Sequence, residues 1–295
     1  MNLNDIKIYT QYIAPKHLLT RLVGLFAAAK LGKCTTYAIK QFVRLYHINM
    51  SEVGRKPEDF TTFNEFFSRA LKKGARPISK DASQIIFPAD GRISQFGDLT
   101  ANLQMQAKGH YFTLEALLGS EKDAQDFIDG KFVTVYLSPQ DYHRVHMPFG
   151  GKLTKMTYIP GELFSVNPLY TQNIPELFSR NERVVCLFDT ECGKMAVIMV
   201  GAAIVRSIQT SWAGIVAPNK SKEIKTFDYR KQNLSFSKGD EIGRFMMGST
   251  VICLFAKNKI KFADLKAEQH VLMGSPMASA IAAAKPKRQP KKANK

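Results

Sequence analysis

Apolar positions recur at helical spacing through the first quarter of the chain and then give way to short strand-like runs. After Pro15, Leu18, Leu19, Leu22, Leu25, Phe26 and Ala29 fall on one helical face, with Lys16, Arg21 and Lys30 among or around them. The spacing predicts a second helix over residues 36–47. Ile39, Phe42, Val43 and Tyr46 lie on its apolar side, with Lys40 and Arg44 opposite. Thr62-Phe63-Asn64-Glu65 is a capping-box pattern, in which the hydroxyl and the carboxylate satisfy free amides at a helix start. It opens a third helix with a stripe of Phe63, Phe66, Phe67 and Leu71 and a stop at Gly74.

The texture changes after Arg76-Pro77. Strand-like runs at 84–87, 132–137, 152–159, 183–188, 194–205 and 251–255 alternate with Gly, Pro, Asn and Asp, and Gly150-Gly151 reads as a turn. The predicted class is α+β. A helical lobe (1–75) precedes a mainly antiparallel, β-sandwich-like domain (76–284), and a basic tail (285–295) reads as disordered by composition.

Charge sharpens this picture. The chain has 295 residues and a net charge of +17. Residues 1–50 and 285–295 each contribute +6, so the excess sits at the two ends. Such a surface attracts phosphate, on nucleic acid or on anionic lipid. The helices before Met50 join an apolar face to Lys and Arg, which suits either an interfacial helix or simple packing onto the rest of the protein. The longest apolar run, residues 196–205, is too short to span a membrane and reads as a buried strand. Four cysteines without a Cys-x-x-Cys pair give no disulfide framework and no zinc motif.

Three segments place titratable or nucleophilic residues among apolar ones. Phe87-Pro88-Ala89-Asp90-Gly91 puts Asp90 at a turn. Tyr142-His143-Arg144-Val145-His146 holds two of the six histidines. Met247-Gly248-Ser249-Thr250 leads directly into a strand. Asp90, His146 and Ser249 are an acid, a base and a hydroxyl, so a relay is possible. Spacing alone is weak support, because most chains of this length contain such a trio.

The local contexts carry more. Thr62-Phe63-Asn64-Glu65-Phe66-Phe67, Pro88-Ala89-Asp90-Gly91, Tyr142-His143-Arg144-Val145-His146, the run Pro160-Gly161-Glu162-Leu163-Phe164-Ser165-Val166-Asn167 and Gly248-Ser249-Thr250 occur in this order. Together they resemble the bacterial, pyruvoyl-dependent phosphatidylserine decarboxylases over residues 10 to 275. Met247, where bacterial members usually carry Leu, is a departure that preserves bulk and polarity.

The resemblance implies a proenzyme. Ser249 would attack the Gly248 carbonyl, with His146 as base oriented by Asp90, and the chain would divide into residues 1–248 and 249–295. Ser249 would become a covalent pyruvoyl group that forms a Schiff base with the amine of phosphatidylserine, and His143 would supply the proton after CO2 leaves. It further implies that the two pieces stay associated, and a homodimer. With two basic amphipathic helices before Met50 and no spanning segment, peripheral attachment to an anionic membrane surface, the cytoplasmic face of the inner membrane, is expected. Two other classes remain open. A Ser-His-Asp lipid hydrolase would use the same trio but lacks a Gly-x-Ser-x-Gly elbow. A nucleic-acid-binding protein would use the charge but lacks a basic stripe with interleaved aromatics, so no nucleic-acid partner is expected.

Overall fold

A computed structural model describes residues 3–100, 103–107, 110–202, 207–218, 222–246 and 249–281. Gly248, Met247, residues 203–205 of the predicted 194–205 strand and the tail 285–295 lie outside the described residues.

Four helices build the lobe: α1 (Leu3–Ile13), α2 (Lys16–Ala28), α3 (Lys33–Leu45) and α4 (Phe63–Phe67). The pattern predicted α2 and α3 to within a few residues and gave no separate α1. On α3 the apolar face packs. Ile39 joins Ile48, Val53, Phe60 and Phe66 in a small core against which Phe42, Val43 and Tyr46 lie. The predicted stripe of α2 does not pack: Leu18, Leu19, Leu22, Leu25 and Phe26 are all at least 46% exposed. The corner between α1 and α2 sits on the loop after the strand Gly151–Ile159. There the Ser165 amide donates to Gln11 Oε1 at 3.0 Å, and Lys16 Nζ pairs with Glu162 at 3.0 Å.

The third helix is shorter than predicted. It ends at Phe67, because Leu71 instead bridges to Val53 as extended chain. Its cap also differs by one residue. Thr62 Oγ1 accepts from the Glu65 amide at 3.1 Å as expected, but the Glu65 carboxylate reaches the Thr61 amide at 2.9 Å. Arg55 holds that carboxylate on its other oxygen.

The β domain is antiparallel throughout its named strands. Its main sheet runs in the order Lys225–Asp228, Gly151–Ile159, Arg183–Thr190, Gly193–Val200, Ser249–Phe255, Lys131–Leu137, Gly91–Asp98 and His270–Val271. Ser235–Phe236 also pairs with Gly151–Ile159. A four-stranded sheet (Gly214–Ala217, Ile208–Thr210, Glu241–Phe245, Arg144–His146) and a three-stranded one (Gln84–Ile86, Pro276–Ala280, Ile260–Phe262) share the same core. Gly151 begins its strand opposite Thr190, so only Gly150 of the predicted Gly-Gly turn lies outside the ladder.

Ser249–Phe255 lies at the middle of the main sheet, paired to a strand on each side, and all of its residues are buried. A strand covered on both faces reads as a continuous apolar run, which Val251–Phe255 is. Burial contributes roughly 1.5–3 kcal/mol for each such side chain. Among the described residues no helix is long and apolar enough to cross a membrane.

Ile252→Ala leaves a cavity between two neighbouring strands and should lower unfolding free energy by about 2–5 kcal/mol, read from urea midpoints. A loss below about 1 kcal/mol would mean that this strand is not at the centre of the packing.

Candidate active site

Asp90 is buried at the turn before Gly91–Asp98, as the sequence placed it. A Cβ on Gly91 would lie 2.3 Å from the Tyr136 carbonyl oxygen, so the chain can approach its neighbour here only as glycine. The Asp90 carboxylate accepts from Arg76 Nε at 2.8 Å and from the Met273 amide at 2.8 Å. Arg76 also pairs with Glu52 at 2.9 Å. These partners raise the Arg76 guanidinium above its ordinary value, against the cost of burial.

His146 lies beside this turn: its amide donates to the Pro88 carbonyl at 2.7 Å. The imidazole is nonetheless oriented by other groups. Nδ1 is 2.8 Å from the Gly239 carbonyl, and Nε2 is 3.0 Å from the Tyr142 hydroxyl. A carbonyl can only accept, so Nδ1 carries the hydrogen and Nε2 keeps the lone pair that Tyr142 donates to. Gly239 sits at φ +89°, where L side chains are strained, and a Cβ would meet Ile78 at 2.2 Å. The turn that aims its carbonyl therefore requires glycine. Burial pushes His146 below its usual value, against the pull of the Gly239 carbonyl and Glu241. A neutral imidazole with a free-electron Nε2 is the form a general base needs.

His143 occupies a different environment. It is fully buried and stacked on Phe67, with centroids 4.1 Å apart at 26°. Burial, aided by the charge of Arg69, pushes it down to about 3. The carbonyls of Ser138 and Pro139 pull weakly the other way, but neither ring nitrogen has a hydrogen bond of good geometry. Its own carbonyl accepts from the Phe245 amide at 3.0 Å, which anchors the segment leading toward residue 249.

The strand expected over 251–255 begins two residues earlier: Ser249 is already in the ladder, opposite Leu137, with Thr250 between Tyr136 and Val200. Ser249 Oγ and Thr250 Oγ1 are buried without a hydrogen-bond partner among the described residues. A buried hydroxyl left unmatched costs about 1–3 kcal/mol.

The structure therefore sets the Asp90 turn against His146 through the backbone. The Asp90 carboxylate, the His146 imidazole and the Ser249 hydroxyl make no hydrogen bond to one another among the described residues. Sequence reasoning missed Arg76, Gly239 and the hydroxyl of Tyr142 as partners. Tyr142 stood in plain view inside its motif, whereas Gly239 gave only the signal of an isolated glycine between polar residues.

A model of the phosphatidylserine decarboxylase family matches residues 63–279. The chain belongs to the phosphatidylserine decarboxylase family. A second model, described as PSD, matches residues 6–47. The chain is similar to the protein named phosphatidylserine decarboxylase proenzyme of Shewanella sediminis, 53% identical over 94% of this chain and 99% of that one. Its counterpart of the same name in Aliivibrio fischeri is 51% identical over 94% and 99%, and that of Alteromonas mediterranea 50% over 96% and 89%. The family pattern thus covers the helical lobe as well as the β domain.

The buried histidines make folding pH-sensitive. The folded value of His143 is depressed, so below about 6.5 the unfolded chain takes up a proton that the folded chain refuses. Stability should fall as pH drops from about 6.5 toward 3, by about 1.4 kcal/mol per pH unit from this group. Urea titrations across that window should show a shallower loss for His143→Phe than for the parent chain. Equal slopes would place His143 in contact with water.

Proposed function

We propose that this chain is a self-processing phosphatidylserine decarboxylase that cuts itself between Gly248 and Ser249 and works through the pyruvoyl group made from Ser249. The observation that carries the reading is the buried, unpartnered Ser249 hydroxyl at the head of the sheet's central strand. Membership of the family supports it.

In self-cleavage, Ser249 Oγ attacks the Gly248 carbonyl while His146 Nε2 accepts the hydroxyl proton. For that, the Tyr142 hydroxyl must yield its place on Nε2. The Gly239 carbonyl holds the ring and stabilises the imidazolium that forms. The Gly248–Ser249 peptide becomes an ester, and His146 returns its proton to the freed amine. Elimination then gives the Gly248 carboxylate and a dehydroalanine, which takes up water and releases ammonia.

The pyruvoyl group supplies the carbonyl electron sink that amino-acid decarboxylation needs. His143 moves the proton to the carbon that loses CO2. It is neutral in the free protein, and the anionic lipid arriving beside it raises its proton affinity. The buried walls around it exclude water from that exchange.

The lobe brings the site to its lipid. α2 exposes Leu22, Leu25 and Phe26 beside Arg21, and α1 exposes Tyr9 and Ile13. Contiguous exposed apolar residues edged by basic ones fit peripheral binding to an anionic leaflet, on the cytoplasmic side of a bacterial inner membrane. The two pieces stay together after cleavage because residues 249–281 supply the central strand and edge strands of two sheets.

On a denaturing gel, Ser249→Ala and His146→Ala should remain one chain and form no phosphatidylethanolamine from phosphatidylserine vesicles, while the parent chain runs as two. A Ser249→Ala chain that still divides at this position would assign the cut to an outside protease. The double variant Leu22→Glu, Phe26→Glu should bind anionic vesicles about tenfold more weakly or worse in sedimentation, since two apolar side chains lose their burial. Unchanged sedimentation would move the membrane contact to another face.

A further inference from the structure

Two guanidiniums stand at the junction of the lobe and the β domain, and they are used differently. Arg76 is saturated: it bonds Asp90, Glu52 and the Ala75 carbonyl. Arg69, two residues beyond α4, is only 4% exposed, and no carboxylate lies within ion-pair distance of it among the described residues. Its Nη2 donates to the Gln140 and Asp141 carbonyls at 3.0 and 3.3 Å. Its Nε and Nη1 have no partner. The guanidinium lies over the Phe66 ring at 5.3 Å. Burial lowers its proton affinity to about 10, so it remains a cation at neutral pH.

A buried cation without a counterion is costly. Asp90, Asp141 and Glu52 offset part of that cost at a distance, but each is hydrogen-bonded to donors of its own and, among the described residues, none pairs directly with Arg69. Asp90 takes Arg76 and the Met273 amide; Glu52 takes Arg76; Asp141 takes the Ser138 amide and hydroxyl and pairs with His270.

Arg69 lines a cavity of about 250 Å³ together with Asn49, Arg76, Asp90, Tyr142 and His270. One wall belongs to the lobe with the exposed apolar helices. The other reaches Tyr142, which holds His146. Glu52 and Asp141 line it as well, so its walls carry both signs of charge.

We propose that this cavity is a headgroup vestibule in which Arg69 supplies the missing ion pair by holding the phosphodiester of the lipid. The inference rests on the reading of the chain as a phosphatidylserine decarboxylase. A wall of mixed charge suits a headgroup that carries a phosphodiester, a carboxylate and an ammonium. Of its two anions, the carboxylate must leave as CO2, and a cation clamped on it would stabilise the ground state and oppose that step. The phosphodiester is the same in substrate and product, so a cation there contributes binding without resisting the chemistry.

The test uses the processed enzyme and its Arg69→Gln and Arg69→Lys variants. The measurements are KM for phosphatidylserine in vesicles and the inhibition constant of phosphatidylethanolamine, which keeps the phosphodiester and lacks the carboxylate. Arg69→Gln should raise both constants together by about tenfold or more, the size expected for a charge-assisted contact, with a smaller fall in kcat. Arg69→Lys should recover part of both. A raised KM with an unchanged inhibition constant would assign Arg69 to the carboxylate and overturn the proposal. Unchanged constants with a lowered melting temperature would make Arg69 structural and overturn it too. Should Arg69→Gln fail to process, Arg69→Lys carries the same comparison. Binding of glycerophosphoethanolamine to unprocessed Ser249→Ala, with and without Arg69→Gln, tests it without any turnover. A parent enzyme that forms no phosphatidylethanolamine at all would instead count against the function on which this rests.

Discussion

The carboxylate of Asp90 joins parts of the chain that lie far apart in sequence. Arg76, at the end of the helical lobe, donates to it, and so does the amide of Met273 in the segment after the proposed cut. Arg76 reaches back to Glu52 inside the lobe. The turn that carries Asp90 runs beside His146 through the Pro88 carbonyl. One buried ion pair thus fixes the lobe, the histidine segment and the final segment relative to one another. Breaking such a pair leaves an uncompensated buried charge, so the arrangement is strongly specified. A carboxylate in this position governs the site through placement of chain segments, with the Gly239 carbonyl as the group in contact with the base.

The second constraint is dryness. His143, Ser249 and Thr250 are wholly buried, and their polar side-chain atoms lack partners. A core built only for stability would match or remove them. Their burial keeps both histidines neutral, which suits a base in self-cleavage and leaves the protonation of His143 to respond to an anionic substrate. The unmatched groups weaken the folded state.

Much of the fold was legible because it depends on local pattern. The α3 stripe of Ile39, Phe42, Val43 and Tyr46 packs as its spacing requires, and the runs at 132–137 and 183–188 are central strands. What was not legible depends on long-range contacts. The α2 stripe has the same periodicity as that of α3, yet it faces outward, because periodicity names a face without naming what covers it. The Thr62 helix stops early because Leu71 finds Val53. The apolar run begins at Val251, but the strand begins at Ser249, because Leu137 and Val200 on the neighbouring strands pair with Ser249 and Thr250. Asp90, His143 and His146 stood out because they lie among apolar residues, and they are buried, but the expected Asp90–His146 contact is replaced by Gly239 and Tyr142 on the imidazole and by Arg76 and Met273 on the carboxylate. Of the two ring partners of His146, Tyr142 is four residues away, whereas Gly239 is 93 residues away, beyond any local signal.

The central claim is that Ser249 attacks its own chain and is converted, with loss of ammonia. The most direct measurement is the intact mass of the purified, unmodified protein under denaturing conditions. The account predicts two species, residues 1–248 and a piece that begins at position 249 without a free amine. Their masses should sum to the mass of the chain plus one water and minus one ammonia. A single full-length mass, or two pieces whose sum exceeds the chain by one water with no ammonia lost, would contradict it.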